Sequence, residues 1–168
     1  MTEQVFRDVV VVTAASIRDR AVMIQGTGFR LRFLPEEKHF GTKKAWRDQA
    51  AVFVSDPSRT VVDTLDEPWM AGGIRHAAEI IAAYFESEHR DEAKVVEYAD
   101  RLGNRTVFKR LGFLLETIGA GTPELVEQCR VRMSSGLSKL DPDVDALGRI
   151  RKRWNLRVNV MIEGEGSA

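Results

Sequence analysis

The stretch Asp56-Pro57-Ser58-Arg59-Thr60-Val61-Val62-Asp63-Thr64-Leu65 decides the fold, because the hydrophobic period changes there. Before it, apolar residues cluster in β-branched runs or alternate one by one, the pattern of strands; after it they recur three and four apart, the pattern of helices. Asp56, or Ser55 before it, can cap a helix by accepting a backbone N–H, and Pro57 suits a first turn that needs no N–H. Val61, Val62 and Leu65 give this helix an apolar side, and Arg59 and Asp63 stand four apart on it.

Upstream, residues 9–13 form a β-branched run. Residues 21–25 and 29–33 flank Gly26-Thr27-Gly28, good turn chemistry for a hairpin. Phe29, Leu31 and Phe33 alternate with Arg30 and Arg32, which predicts a half-buried strand with one basic face. Residues 44–46 and 51–54 predict another hairpin around Arg47-Asp48-Gln49. Downstream, Gly72-Gly73 precedes a helix over 74–85 whose stripe is Ile74, Ala77, Ala78, Ile81 and Phe85. Val95, Val96, Ala99 and Leu102 make a third helix, ended by Gly103. The fourth covers 106–118, with Val107, Leu111, Leu114, Leu115 and Ile118 inward, and Pro123 starts a fifth that runs to about Ser134. A polar stretch then leads to Arg153 and a last strand over 156–162, where Leu156, Val158, Val160 and Ile162 alternate with Arg157 and Asn159. The tail 164–168 is expected to fray.

Strands, then helices, then one more strand predict an α+β fold: an amino-terminal antiparallel or mixed sheet packed on a carboxy-terminal helical bundle, with the final strand returning to that sheet. The expectation is a single domain over 1–168, with a strand-rich half at 1–54, a helical half at 55–135, and a basic loop plus returning strand at 136–168. Hydrophobic and charged fractions of 43% and 30% are those of a globular chain. No apolar run approaches the ~20 residues of a membrane helix, and the first residues do not read as a signal peptide. A lone Cys129 supports neither a disulfide framework nor a metal pattern, so a cytoplasmic protein is expected. Net charge is zero but unevenly spread: residues 1–50 carry nine Lys/Arg against six Asp/Glu, residues 51–100 four against eleven, and residues 101–168 twelve against eight. If the thirds occupy separate faces, the surface is polarised.

Asp56, Arg59 and Asp63 could form a catalytic carboxylate cluster with an arginine electrophile, but no His, metal motif or second carboxylate pair accompanies them. An N-cap and a charge-paired helix explain the same residues more simply. Gly112 in mid-helix costs about 1 kcal/mol relative to Ala, which points to close packing against another backbone. Arg110 and Glu116 lie six apart, off a common helical face, and Arg110 suits the anchoring of a loop or carboxylate. His39, His76 and His89 lack ligand spacing, and the glycine pairs are not followed by Gly-Lys-Ser/Thr, so no metal or nucleotide cofactor is expected. The run Arg149-Ile150-Arg151-Lys152-Arg153-Trp154 is dense in cations, and Arg30, Arg32, Lys43, Lys44 and Arg47 could add to it across the sheet. Such a surface suits phosphate or an acidic protein; a solvated basic loop with Trp154 in the core is the other reading.

Ser55-Asp56-Pro57-Ser58-Arg59-Thr60-Val61-Val62-Asp63 and Lys109-Arg110-Leu111-Gly112-Phe113-Leu114-Leu115-Glu116, in this order, resemble the carboxy-terminal domain of the AbiEi family of antitoxins. His39-Phe40-Gly41, Gly72-Gly73, Leu140-Asp141-Pro142 and Arg153-Trp154 with Asn159 extend the resemblance from about Val9 to Asn159; Ser58 departs from the glutamate usual at its position. The resemblance implies a non-enzymatic antitoxin of a type IV toxin–antitoxin or abortive-infection system, counteracting a nucleotidyltransferase-like toxin directly or indirectly and contributing to transcriptional autoregulation. It implies that Asp56, Arg59, Thr60, Asp63, Arg110, Gly112, Glu116, Trp154 and Asn159 are structural anchors. In the family, operator DNA is bound by an amino-terminal winged helix, for which the residues before Val9 leave no room, so the antitoxin domain without its DNA reader is expected. The alternatives are a DNA-binding regulator acting through Arg30, Arg32, Lys43, Lys44, Arg149, Arg151, Lys152 and Arg153, and, third, an enzyme that modifies the toxin.

Overall fold

The computed structural model describes residues 8–47, 49–145 and 147–164. It is an α+β protein whose strands, five helices and further short strands follow the expected order. The chain divides into two compact units, residues 1–40 and 41–168. Asp48 of the predicted turn and residues 165–168 of the tail lie outside the described residues.

The first unit holds a mixed three-stranded sheet of β1 (Asp8–Thr13), β2 (Ala21–Ile24) and β3 (Thr27–Phe33). β3 is central, antiparallel to β2 and parallel to β1. The β2–β3 turn is Gln25-Gly26, not the expected Gly26-Thr27-Gly28: both residues have positive φ (49° and 79°), as a two-residue hairpin turn requires, and Thr27 and Gly28 already belong to β3. The expected basic face of β3 is corrected too. Arg32 is buried and only Arg30 is exposed, while Phe33 on the supposedly inward side is 53% exposed. A central strand is flanked on both edges, so alternation alone does not say which of its faces is covered.

The second unit begins with an antiparallel hairpin, β4 (Thr42–Arg47) and β5 (Ala50–Ser55), in which Arg47 pairs with Ala50. It leads directly into α1 (Pro57–Asp66), and the Asp56 N–H donates to the Gly41 carbonyl at 2.8 Å, joining the hairpin's open end to the helix start. Asp56 is the N-cap: its Oδ1 accepts from the Arg59 N–H at 2.8 Å, with Pro57 opening the first turn. After a 3-10 turn (Pro68–Ala71) come α2 (Ile74–Glu86), α3 (Glu92–Leu102), α4 (Thr106–Ile118) and α5 (Pro123–Arg132). Left-handed Gly103 and Gly119 end α3 and α4, and the Asp91 and Thr122 side chains cap α3 and α5.

The core sits among these helices. The predicted stripe of α2 is wholly buried, as are Val95, Val96, Ala99 and Leu102 of α3 and Val107, Leu111, Leu114 and Leu115 of α4. Leu140, Trp154 and Leu156 add to it from the carboxy-terminal part.

The carboxy-terminal part corrects two expectations. The stretch between α5 and Arg153 contains β6 (Ser138–Lys139) and β7 (Arg149–Arg151), so the basic segment is a strand followed by a 3-10 turn (Lys152–Trp154). The last strand, β8 (Leu156–Val158), does not return to the amino-terminal sheet; it lies between β6 and β7 in a sheet of their own. It stops at Val158, short of the expected 162, because Asn159 bonds elsewhere: its Oδ1 accepts from the Asp141 N–H (3.0 Å) and its Nδ2 donates to the carbonyls of Asp141 (2.8 Å) and Val144 (2.7 Å).

Candidate functional site

The residues singled out from the sequence fall into a buried framework and separate exposed cations. In the framework, Arg59 and Asp63 form an ion pair on the buried side of α1, Nε to Oδ2 at 2.9 Å. The other oxygen of the Asp56 cap, Oδ2, accepts from the Tyr98 hydroxyl of α3 at 2.9 Å. Thr60 donates its hydroxyl to the Asp56 carbonyl (3.0 Å). Burial and the Asp56 carboxylate push the Tyr98 hydroxyl up to about 12. Gly41 makes room for this contact: a Cβ there would lie 2.8 Å from the Tyr98 ring and 2.9 Å from the Arg59 Cβ.

Arg110, buried on α4, reaches across to the end of α1. Its Nη1 donates to the carbonyls of Leu65 (2.7 Å) and Asp66 (3.1 Å), and its Nε to the Leu140 carbonyl (2.9 Å). It thus satisfies oxygens that a helix C-terminus leaves unpaired and places a cation at the negative end of the helix dipole. Burial lowers its pKa, opposed by Asp66 and Asp141. Its neighbour Lys109, also buried, donates to the Gly136 carbonyl and to Ser138 Oγ (3.1 Å). Burial, and then the Arg110 charge, lower the Lys109 pKa.

Gly112 lies against the Trp154 indole rather than another backbone; a Cβ there would lie 2.0 Å from the nearest ring carbon. The indole Nε1 donates to Glu116 Oε2 (2.7 Å), whose other oxygen accepts from Arg153 Nε at 2.7 Å. Asp141 ties the carboxy-terminal part to α2: its Oδ2 accepts from the Ile74 N–H at 3.0 Å, while Asn159 grips its main chain. Among the described residues no buried side-chain nitrogen or oxygen lacks a partner. Cys129 is buried, which pushes its thiol up to about 12 and leaves little of the reactive thiolate.

The cations named from the sequence belong to three different sheets. Arg30 and Arg32 belong to β3 of the first unit, with Arg32 buried; Lys43 and Lys44 lie on β4 of the second, in a different sheet. Arg149, Arg151 and Lys152 are exposed on β7 and its following turn. Arg153 is exposed but engaged by Glu116, with its guanidinium 5.7 Å from the Trp154 ring centre. Beside these residues is an open groove of about 860 Å³ lined by Thr117, Ile150, Arg151, Lys152 and Trp154 among others.

Sequence reasoning missed Tyr98 and gave Lys109 and Asp141 no role, because their partners are distant in the chain. It also passed over Trp46 and Phe53, both exposed on the β4–β5 hairpin. Their signal was two aromatics beside a lysine pair in a segment otherwise rich in small or β-branched residues. A scan against protein-family models finds no match, and searches of curated proteins and of solved structures find none either. Among the described residues no helix is long and apolar enough to cross a membrane.

Proposed function

We propose that this chain is an antitoxin module of the AbiEi type, which counteracts a nucleotidyltransferase-like toxin without catalysing a reaction and contributes to transcriptional autoregulation when joined to a DNA-reading domain. One observation carries the reading. The residues behind the resemblance, spread from Asp56 to Asn159, converge on the buried contacts that join α1, α2, α4 and the carboxy-terminal strands. Such anchoring is the role that the resemblance implies for them. The carboxylates of Asp56 and Asp63 are both bonded within the protein, which favours anchoring over acid–base chemistry.

Arg149, Arg151 and Lys152 are the proposed partner surface: they are exposed, and an acidic protein face would complement them. The same exposure favours contact with a DNA backbone as the second reading, which predicts binding to unrelated duplexes and steep loss with salt. The test is growth rescue in bacteria co-expressing the chain with a nucleotidyltransferase-like toxin of the type IV class. Rescue is expected from the parent chain, and the pair Arg151→Glu and Lys152→Glu should lose it without lowering the thermal midpoint. Undiminished rescue by that variant would exclude the surface; no rescue by the folded parent chain would remove the support for neutralisation by this module alone.

A further inference from the structure

The carboxy-terminal sheet ends in a cationic edge that the buried framework does not use. β7 is its outer strand: β8 pairs with one side, and no strand lies on the other among the described residues. All three residues of β7 are exposed. An antiparallel neighbour takes the N–H and C=O of alternate residues only, so the rest of the β7 main chain faces away from β8. The register sets Arg149 opposite Val158, Ile150 opposite Arg157 and Arg151 opposite Leu156. Arg149 and Arg151 therefore share one face with Val158 and Leu156, and Ile150 lies on the other. With Leu147, Val158 and Met161 among others, the two arginines line an open groove of about 430 Å³, and no carboxylate lines it among the described residues. Leu147 is 92% and Met161 76% exposed beside them. Residues 147–162 hold five cations and no Asp or Glu.

We propose that β7 accepts an extended acidic peptide as a fourth strand, with carboxylates two residues apart opposite Arg149 and Arg151. The proposal deepens the partner surface described above and rests on that surface taking an acidic protein. A strand edge presents N–H donors and C=O acceptors together; an extended polypeptide answers both, whereas a phosphodiester backbone only accepts. Cross-strand neighbours lie about 4.5–5.5 Å apart, so alternate side chains of an incoming strand meet the two arginines, and carboxylates there complete opposite-charge pairs. The same geometry disfavours a second copy of this chain. Two β7 strands paired antiparallel about Ile150 would set Arg149 of one chain against Arg151 of the other, and like charges directly opposite are destabilising. Leu147 and Met161 offer apolar contact that a peptide side chain uses and a bare phosphate does not.

The test is fluorescence anisotropy of a labelled octapeptide of alternating aspartate and valine, titrated with the full chain at low and physiological salt. Saturable binding that weakens with salt is expected. Two further peptides carry N-methyl groups, one on every aspartate nitrogen and the other on every valine nitrogen. A strand ladder uses alternate residues, so one of the two should bind at least about fivefold more weakly than the other. An isomer with its aspartates contiguous should also bind more weakly. Arg149→Glu should weaken binding at least about fivefold. Its side chain is exposed, so an unchanged thermal midpoint is expected. Four results would overturn the proposal: no binding at low salt, equal binding of the two N-methylated peptides, equal binding of the contiguous isomer, or tighter binding of an oligonucleotide of equal charge. Growth rescue by the parent chain without peptide binding would refute strand addition alone. Peptide binding without rescue would leave strand addition standing and count against neutralisation by this module.

Discussion

Gly112 shows how one missing atom sets the packing of α4. Glycine in a helix interior is worth about 1 kcal/mol less than alanine, so propensity alone favours Gly112→Ala. Packing opposes it, because the added Cβ would clash with the Trp154 ring at 2.0 Å, and that ring is held at its nitrogen by Glu116. A rigid, buried, hydrogen-bonded indole yields less than a flexible side chain would, and overpacking of this kind costs about 1–3 kcal/mol or more. The packing term wins. Gly112→Ala should lower the stability measured by urea unfolding by about 2 kcal/mol. In a Trp154→Leu background the same change should cost much less, because the two residues are coupled. A stabilised Gly112→Ala in the parent chain would show that the indole moves aside and carries no constraint. The sequence announced a close approach at Gly112 but not its partner, since nothing local says that a residue 42 positions later lies against it.

At the scale of elements, Arg110 is what α4 offers to the end of α1. Replacing it by methionine would fill similar space but leave the Leu65 and Leu140 carbonyls without their donor, at about 1–3 kcal/mol for each buried group. Arg110→Met should therefore lose roughly 3 kcal/mol or more in urea unfolding, and Arg110→Lys should recover only part, because an ammonium lacks the planar fork that reaches several carbonyls. Hydrogen exchange should accelerate first at the last turn of α1; uniform acceleration through the helices would refute the capping role. The helices themselves were legible because each repeats its signal over several turns. The α2 stripe from Ile74 to Phe85 is an example, and glycine marks the ends of α3 and α4. The small carboxy-terminal sheet was not legible. β6 has two residues and β7 three, too few to show a period, and their pairing partner β8 follows them in the chain. Leu156 and Val158 announced a strand without saying which strands it would join. Asp56 was readable as a cap from its type and place, whereas Tyr98, which completes its bonding, was hidden among ordinary helical residues.

For the molecule as a whole, zero formal charge hides a dependence on alkaline pH set by three groups in the second unit. Tyr98 is raised from 10.0 to about 12, chiefly by burial and then by Asp56, and Cys129 from 9.0 to about 12, chiefly by burial. A raised folded-state pKa means that the folded protein holds its proton more tightly than the unfolded chain. The stabilisation is therefore complete below the unfolded value and disappears as pH rises through the folded one. Lys109 acts oppositely: burial lowers its pKa, so the cost of its charge is relieved as pH rises. Two losses oppose one gain, and stability should decline above the unfolded values of the thiol and the phenol. Tyr98→Phe separates the tyrosine from the rest. At neutral pH it should cost roughly 1.5–3 kcal/mol, the worth of a hydrogen bond to a charged group. As pH rises from about 10 towards 12 the parent chain surrenders that advantage, so the two unfolding free energies should converge, while Lys109 and Cys129 contribute equally to both proteins and cancel. Urea unfolding of both at a series of pH values measures the difference directly. A gap that stays constant through this range would mean that the Tyr98 proton is not held by the fold, and that the Asp56 contact contributes packing alone.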